Sequence, residues 1–263
     1  MHAEYRIYDM NIKKVTSLKN DIILKTKKLK SKKYRDSSRM FLAEGIKNVK
    51  DSVKLHKPEM IFVVDEKMLD FKCDCPCYVV SEQIMKELSD TVTPQGIIGV
   101  FKIKEFEREK ISDKILILNG VSDPGNVGTI LRTACALGFS TVLTDSKTAD
   151  IYSPKIIRSA MSAVFALNIL RCESLENEIS ALKNEGYKFY VSCLSEKSCD
   201  IKDIEVSEKC MLAVGNEANG VEDSIIKLAD KLYIIPMENT IESLNVAVAA
   251  GISMYSFINK KMD

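Results

Sequence analysis

Residues 118–139 read LNGVSDPGNVGTILRTACALGF and pass from an apolar strand through a Pro/Gly turn into a helix. Gly125 and Gly128 allow the backbone to approach a ligand closely, and the free N–H groups of the first helical turn favour an anion. The apolar side chains of the helix, predicted over residues 125–137, share one face: Val127, Ile130, Leu131, Ala134 and Leu137. The stretch therefore predicts a strand–turn–helix unit, either with a ligand site at the turn or as a plain βα connection.

Strands and helices alternate on both sides of this unit. Apolar runs predict strands at 115–119, 141–145, 189–194, 210–215 and 231–237. Helical patterns fall near 154–165, 174–186 and 243–258, and the last of these is apolar on nearly all sides, so we expect it to be buried. Such alternation is typical of an α/β fold with a parallel sheet that is covered on both faces.

A smaller α/β unit of about 100 residues precedes it. Strands are predicted at 39–45, 60–65, 77–81 and 97–103, and helices at 13–37, 46–56 and 82–90. Residues 105–114 are charged and lack apolar periodicity, which is typical of a linker. We therefore predict an N-terminal domain at 1–104, a linker at 105–114 and a C-terminal domain at 115–263.

The composition is that of an ordinary globular protein. Of the 263 residues, 46% are hydrophobic and 29% are charged, and no run of 18 apolar residues predicts a membrane span. The N-terminal sequence MHAEYRIYDMNIKK lacks the apolar run of a signal peptide. We expect no membrane association and a cytoplasmic location.

Positive charge is concentrated in residues 13–39, although the net charge of the chain is only +1. Asp21 and Asp36 oppose eleven basic residues there: Lys13, Lys14, Lys19, Lys25, Lys27, Lys28, Lys30, Lys32, Lys33, Arg35 and Arg39. Such a run attracts the phosphate backbone of a nucleic acid. The alternative is a solvated helix face.

The cysteines and histidines do not form a recognisable reactive motif. Cys73, Cys75 and Cys77 belong to the sequence C-D-C-P-C, whereas zinc sites usually contain C-x₂-C pairs, so we expect reduced thiols and no metal. His2 and His56 lie far along the chain from the motifs described here. Acid–base chemistry by histidine is therefore not expected.

Two further stretches place polar residues directly after predicted strands. In AVGNEANGVEDSII (213–226), Gly215 and Gly220 bracket Asn216, Glu217 and Asn219. A carboxylate at the C-terminal end of a parallel strand lies where α/β sheets bind ligands. In IIPMENTIESLNVAVAAGISMYSF (234–257), Ser243 and Asn245 open the final helix, and Ser243 is alternatively a simple N-cap.

The first stretch alone also permits a dinucleotide site. Asp145 follows Gly125 by twenty residues at the end of the next strand, as the ribose-binding carboxylate of an NAD site does. However, the required G-x-G-x-x-G is absent, because only Gly-x-x-Gly is present. A second alternative, based on the basic segment, is an RNA-binding or resistance protein without catalysis.

Taken in order, the three stretches resemble the three motifs of the SpoU/TrmH methyltransferases. The first motif is matched by Asn126 and Arg132, and the second by Gly215, Glu217 and Gly220. The third is matched by six residues: Ile235, Pro236, Met237, Ser243, Leu244 and Asn245. Upstream, RMFLAEG (39–45) and SDTVTPQGIIGV (89–100) resemble the substrate-binding domain of the family.

This resemblance implies a SPOUT-like α/β fold whose C-terminal part forms a trefoil knot, with a small N-terminal α/β substrate-binding domain. It implies transfer of a methyl group from S-adenosyl-L-methionine to a ribose 2′-hydroxyl in structured RNA. Ribosomal RNA, 23S in particular, is the preferred partner over transfer RNA. The resemblance also implies a homodimer.

It further implies a role for each site residue. The expected catalytic set is Asn126, Arg132, Glu217, Ser243 and Asn245, and the expected cofactor-binding set is Gly215, Ile235, Met237 and Leu244. We expect RNA contacts from Lys27, Lys28, Lys32, Lys33, Arg39 and Arg158. Arg132 would contact the 2′-hydroxyl while Glu217 holds its guanidinium. Because arginine stays protonated, Arg132 would stabilise the alkoxide or pass the proton to a phosphate.

Overall fold

The computed structural model describes residues 11–238 and 243–259, which fall into two units. The first unit contains the residues up to Lys104 together with Asp150–Phe165. The second unit contains Glu105–Ala149 and the described residues from Ala166 onward. The sequence pattern placed residues 150–165 in the second domain and did not anticipate their packing with the first unit.

The first unit contains a five-stranded mixed sheet. Its elements are β1 (Ile12–Val15), α1 (Asp21–Lys28), α2 (Lys32–Ser38), β2 (Met40–Glu44), α3 (Ile46–Leu55), β3 (Met60–Val63), β4 (Cys77–Val80), α4 (Glu82–Leu88) and β5 (Ile97–Lys102). The strand order is β1-β4-β3-β5-β2. Strands β1, β4 and β3 are parallel to one another, and β5 is antiparallel to both of its neighbours.

The single helix predicted over residues 13–37 is wrong. Residues 12–15 form β1, which pairs with β4 from Ile12 opposite Cys77 onward. Asn20 then starts α1, because its side-chain oxygen accepts a hydrogen bond from the backbone N–H of Ile22. The abundance of lysine obscured these breaks. The buried Ile23, Thr26 and Leu29 mark the inward face of this segment.

The second unit contains a seven-stranded, wholly parallel sheet of order β10-β12-β9-β11-β6-β7-β8. Its strands are β6 (Lys114–Asn119), β7 (Thr141–Thr144), β8 (Asn168–Arg171), β9 (Lys188–Ser192), β10 (Cys199–Asp200), β11 (Cys210–Gly215) and β12 (Lys231–Ile234). The helices that follow β6 along the chain are α5 (Pro124–Ala136), α6 (Pro154–Ala160), α7 (Ala163–Ala166), α8 (Leu175–Asn184), α9 (Asp223–Ile226) and α10 (Val246–Ile258). Of these, α6 and most of α7 belong to the first unit. This confirms the predicted α/β class with its parallel sheet.

Three details differ from the prediction. The helix predicted near 154–165 divides into α6 and α7 at Met161, whose backbone has a φ of 55°. Strands β8 and β10 were not predicted, since β8 has no fully buried side chain and β10 has only two residues. The last helix begins at Val246 rather than Ser243.

The last helix is also less buried than predicted. Ala250 and Met254 are fully buried, but three apolar side chains on another face are exposed: Val248, Ile252 and Tyr255. Within the described residues, no helix is long and apolar enough to cross a membrane. The trefoil knot that the family resemblance implies stays a prediction, since residues 239–242 lie outside the described residues.

Candidate functional site at the carboxyl ends of two central strands

Strands β6 and β11 are neighbours at the centre of the parallel sheet, and their last residues, Asn119 and Gly215, lie opposite each other. After β6, the chain adds β7 and β8 on one side of β6 in the sheet. The next strand, β9, lies on the opposite side, next to β11. Ligands of open α/β sheets bind outside the carboxyl ends of strands at such a change of direction. The loops after β6 and β11 therefore form the candidate site.

The loop after β6 leads directly into α5. Asp123 is the N-cap of this helix, and its carboxylate accepts a hydrogen bond of 2.8 Å from the backbone N–H of Asn126. Pro124 occupies the first turn, where its missing N–H costs nothing. The cap fixes the backbone of the first turn and with it the base of the Asn126 side chain.

Glu217, in the loop after β11, binds this helix start. One carboxylate oxygen accepts hydrogen bonds from the backbone N–H of Asp123 at 3.1 Å and from Asn126 Nδ2 at 3.0 Å. The other accepts from the backbone N–H and the hydroxyl of Ser122, at 3.2 and 3.0 Å. A carboxylate at a helix N-terminus also interacts favourably with the helix dipole. Glu217 thus joins the first and second motifs.

These contacts keep Glu217 ionised. Burial raises the pKa of its carboxyl group, but hydrogen bonds from Asn126 and from the backbone of Glu217, Ser122 and Asp123 outweigh burial and lower the pKa to about 2. A carboxylate with so low a pKa is a weak proton acceptor at neutral pH. Glu217 therefore positions its neighbours and does not act as a general base.

Asn126 connects this carboxylate to the third motif. Its Nδ2 donates to Glu217, and its Oδ1 accepts a hydrogen bond of 3.0 Å from Asn245 Nδ2. Asn245 is in turn the N-cap of α10, since its Oδ1 accepts from the backbone N–H groups of Ala247 and Val248. The three motifs thus meet in one hydrogen-bonded chain, Glu217–Asn126–Asn245, which fixes the orientation of both amides.

The turn after β11 is closed on itself. Asn216 and Gly220 exchange two backbone hydrogen bonds of 2.9 Å, and Asn216 Nδ2 donates to the carbonyl of Gly120. A Cβ atom on Gly215 would lie 2.1 Å from the carbonyl carbon of Gly220, so a larger residue does not fit there. Gly215 therefore permits the close return of the loop that holds Glu217 in place.

Arg132 lies on the exposed face of α5, two turns after the helix start. The predicted bond between Glu217 and Arg132 is wrong for a single chain, because the carboxylate oxygens of Glu217 bind Ser122, Asp123 and Asn126 instead. Among the described residues, the side chain of Arg132 forms no hydrogen bond or ion pair, and it is exposed.

Comparison with known proteins identifies this arrangement. A profile of the SpoU rRNA methylase family matches residues 113–255, and a profile of the MRM3-like substrate-binding domain matches residues 20–99. The 23S rRNA (guanosine(2553)-2′-O)-methyltransferase RlmP of Bacillus subtilis is 36% identical over 249 residues, which cover 93% of this chain and 98% of that protein.

The chain belongs to the SpoU rRNA methylase family. It is an S-adenosylmethionine-dependent RNA 2′-O-ribose methyltransferase. The AdoMet-bound rRNA methyltransferase of Sinorhizobium meliloti is similar over 94% of this chain and 97% of that one, with 30% identity and a TM-score of 0.84. An RNA methyltransferase of the TrmH family from Porphyromonas gingivalis covers 92% and 98% of the two chains, with 26% identity and a TM-score of 0.83.

The predicted cofactor residues of this SpoU enzyme suit S-adenosylmethionine. Ile235 and Leu244 are partly exposed and Met237 is 37% exposed, so apolar side chains are available to contact an adenine ring. Among the described residues, the backbone N–H groups of Met237 and Leu244 form no hydrogen bond. They can therefore donate to a ligand. Gly215, at the end of β11, adds a position without a side chain.

Two other predicted residues are placed differently from expectation. Ser243 is exposed and does not cap α10, because Asn245 does. Asp145, which an NAD site would require, accepts hydrogen bonds from Asn119 Nδ2 and from the backbone and hydroxyl of Thr148. That carboxylate stabilises the loop after β7, so the structure does not favour the dinucleotide alternative.

Three residues of the site were not singled out from the sequence. Ser122 and Asp123 donate to Glu217, and Asn119 joins the loops after β6 and β11 by accepting from the backbone N–H of Glu222 at 2.8 Å. Asp123 followed by Pro124 is a recognisable helix start, and this pattern could have identified Asp123 from the sequence. Ser122 and Asn119 act only through contacts between distant parts of the chain, which a local pattern does not reveal.

The predicted RNA-binding residues lie in the first unit. Lys28, Lys32, Lys33 and Arg39 are exposed, while Lys27 forms an ion pair of 2.5 Å with Glu87 and Arg158 donates to Asp90. Arg35, by contrast, is only 4% exposed. It donates to the carbonyls of Leu29 and Lys30 and pairs with Asp150. The basic segment is therefore a mixture of exposed cations and one buried structural arginine.

The two substrate-domain segments named from the sequence, RMFLAEG and SDTVTPQGIIGV, meet at Glu44. Its carboxylate accepts hydrogen bonds from the hydroxyls of Ser89 and Thr91 and from the backbone N–H of Asp90. Gly45 follows with a φ of 101°, a conformation that glycine adopts readily. Glu44 thus anchors the loop at residues 89–91, to which Arg158 is also bonded.

Proposed function

We propose that this SpoU enzyme methylates the 2′-hydroxyl of a guanosine in 23S ribosomal RNA. The supporting observation is its similarity to the Bacillus subtilis 23S rRNA guanosine methyltransferase, which extends over 98% of that protein and therefore includes the substrate-binding region. The basic exposed residues of the first unit supply the charge that an RNA backbone requires. A cytoplasmic location, where ribosomal RNA is found, accompanies this proposal.

In the proposed mechanism, S-adenosylmethionine supplies the methyl group when it is bound. Arg132 contacts the ribose 2′-oxygen and stabilises the negative charge that develops on it. Because arginine stays protonated, the hydroxyl proton leaves through an RNA phosphate or solvent. The chain Glu217–Asn126–Asn245 holds the loops after β6 and β11 in a fixed relation to the start of α10.

We further propose that the protein acts as a homodimer in which α5 and α10 form the interface. The two helices pack together, and Gly251 of α10 lies against Thr133 of α5. The exposed apolar side chains of α10, Val248, Ile252 and Tyr255, follow helical spacing of four and three residues. An exposed apolar stripe on a buried helix is typical of a protein interface. Arg132 lies on the neighbouring helix.

The proposed RNA specificity is tested by mapping 2′-O-methylation in total RNA from a strain that lacks the gene. The strain should be complemented with the wild-type protein and with Arg132→Lys. Loss of one methylated guanosine in 23S RNA, restored by the wild type alone, would support the proposal. Loss of a methyl group from transfer RNA, or no change in 23S RNA, would refute it.

A further inference from the structure

The sequence C-D-C-P-C forms a cluster of thiols in the first unit. Cys73 and Cys75 lie in the loop before β4, and Cys77 is the first residue of that strand. The three Sγ atoms lie within 4.8 Å of one another, and those of Cys73 and Cys77 are 3.3 Å apart. In a regular strand these alternate positions would share one face but lie about 6.5 Å apart, so the loop conformation itself brings the three sulfurs closer together.

The spacing of the sulfur atoms fits a metal ion. Zinc–thiolate bonds of about 2.3 Å place two sulfurs about 3.8 Å apart in a tetrahedral site. The distances in the cluster bracket this value, so small side-chain rotations bring all three atoms to bonding distance. A disulfide, in contrast, has sulfurs about 2.05 Å apart. None of the eight cysteines, all of which lie in the described residues, is in a disulfide.

The surroundings favour an ion that reduces the charge of thiolates. Cys77 is 0% exposed, and Cys73 and Cys75 are each 8% exposed. The neighbouring side chains are apolar: Val49, Ile61, Val63, Leu69 and Ile97. Three thiolates with Zn²⁺ carry a net charge of −1, whereas the same thiolates with Cu⁺ carry −2. Burial among apolar groups therefore favours zinc over the monovalent ion.

The loop that carries two of the thiols is held by charged residues on both sides of the cluster. Lys50 pairs with Asp70 at 2.7 Å, and Lys57 pairs with Asp74 at 3.1 Å. Asp74 lies between two of the cysteines, but its side chain is 93% exposed and paired with lysine, so it is not a fourth ligand. No other histidine, cysteine or carboxylate among the described residues joins the group.

We propose that Cys73, Cys75 and Cys77 bind one zinc ion, with the fourth position occupied by water. The slight exposure of Cys73 and Cys75 gives solvent access to that position. The site lies in the first unit and is separate from the methyl-transfer residues, all of which lie in the second. Bound zinc ties the loop before β4 to the sheet and stabilises the native state of that unit.

The test is metal binding by the purified full-length protein, reduced and kept free of oxygen. Zinc content is measured by mass spectrometry, and Co²⁺, which substitutes for zinc, is titrated while the near-ultraviolet absorption is recorded. We expect one ion per chain, an intense thiolate-to-cobalt charge-transfer band, and displacement of cobalt by zinc. Zinc should also raise the Tm.

Single variants Cys73→Ser, Cys75→Ser and Cys77→Ser should lose the band, while Cys193→Ser, a partly buried thiol outside the cluster, should retain it. If a variant does not fold, the spectrum of the folded wild type decides. Absence of the charge-transfer band from the wild type would refute the proposal. Binding that persists in a folded triple variant, binding of Cu⁺ but not Zn²⁺, or a Cys73–Cys77 disulfide in place of the metal would also refute it.

Discussion

Replacement of Glu217 by glutamine tests whether this one carboxylate holds the three motifs together. The two oxygens of Glu217 accept four hydrogen bonds, from the backbone N–H of Ser122 and Asp123, the Ser122 hydroxyl and Asn126 Nδ2. Glutamine offers one oxygen. Its NH₂ group would face two of these donors and could accept from neither, so the variant loses at least two hydrogen bonds as well as the negative charge at the helix start.

The expected loss of stability follows from these contacts. A single hydrogen bond contributes about 1 kcal/mol, and solvent exposure of Glu217 weakens the contribution of its charge. We therefore expect Glu217→Gln to reduce the free energy of unfolding by about 1–2 kcal/mol, which lowers the Tm by roughly 2–8 °C in a protein of this size. When the NH₂ group faces Asp123 and Asn126, Asn126 also loses its fixed orientation. We expect turnover to fall by on the order of 10²-fold, as misplacement near a reacting group does.

The difference in stability between the wild type and Glu217→Gln should decrease as the pH falls. The native pKa of Glu217 is about 2, below the ordinary value of 4.5 for a glutamate. A lowered native pKa contributes stability that is present above the unfolded pKa and is lost as the pH falls through the native pKa. The Tm difference between wild type and Glu217→Gln should thus be full at pH 7 and shrink progressively below about pH 4.5.

The assay is thermal unfolding of both proteins between pH 7 and pH 3, together with single-turnover methylation at pH 7. Glu196→Gln is the matched control, because Glu196 is exposed and its side chain forms no hydrogen bond or ion pair among the described residues. It should leave both the Tm and turnover unchanged. An unaltered Tm and turnover in Glu217→Gln, or a Tm difference that does not change with pH, would refute this role for the carboxylate.

Three further predictions concern Arg132, the basic segment and α10. Arg132→Lys keeps the charge but loses the planar fork of donors, so turnover should fall by about 10²–10⁴-fold with little change in Tm or in S-adenosylmethionine affinity; near-normal single-turnover rates would remove Arg132 from the reaction. Replacing Lys27, Lys28, Lys32 and Lys33 with glutamine should weaken RNA binding and flatten its salt dependence by roughly one unit per lost contact. Replacing Lys47, Lys54, Lys57 and Lys67 with glutamine should weaken RNA binding and its salt dependence to a smaller extent. Equal effects of the two sets would show that the basic segment has no special role in RNA binding. Val248→Asp with Tyr255→Glu should convert a dimer to a monomer in sedimentation, and an unchanged sedimentation coefficient would exclude α10 from the interface.

The local pattern at residues 118–139 was sufficient to predict strand β6, the turn and helix α5 within one or two residues. Here periodicity, a capping residue and a Pro/Gly turn agree. Strand β1 was missed because its IKKV sequence lies in a lysine-rich run, and only pairing with β4 shows that it is a strand. Tertiary pairing decided the structure of such short segments, and a local pattern does not contain that information.

The sequence predicted which residues lie in the candidate site, but it did not predict their hydrogen bonds. The order of the three motifs placed Asn126, Glu217 and Asn245 in one predicted site, and the structure joins them by a chain of hydrogen bonds that the sequence did not predict. The partner of Glu217 was predicted wrongly as Arg132. Its actual partners are the backbone groups and side chains that begin α5, between 91 and 95 positions away in sequence. Charge complementarity suggested Arg132 as the partner of Glu217, whereas the backbone geometry at the start of α5 determines the actual partners.

The most direct measurement is the chemical identity of the methylated product. Purified protein, S-adenosylmethionine and unmethylated 23S ribosomal RNA should be incubated, and the RNA digested to nucleosides for mass spectrometry. A parallel reaction uses a target fragment with a 2′-deoxyribose at the modified position. We predict one 2′-O-methylguanosine per RNA molecule and no product from the deoxy fragment. A methyl group on a base, or transfer to the deoxy fragment, would contradict the assignment of ribose 2′-O-methylation.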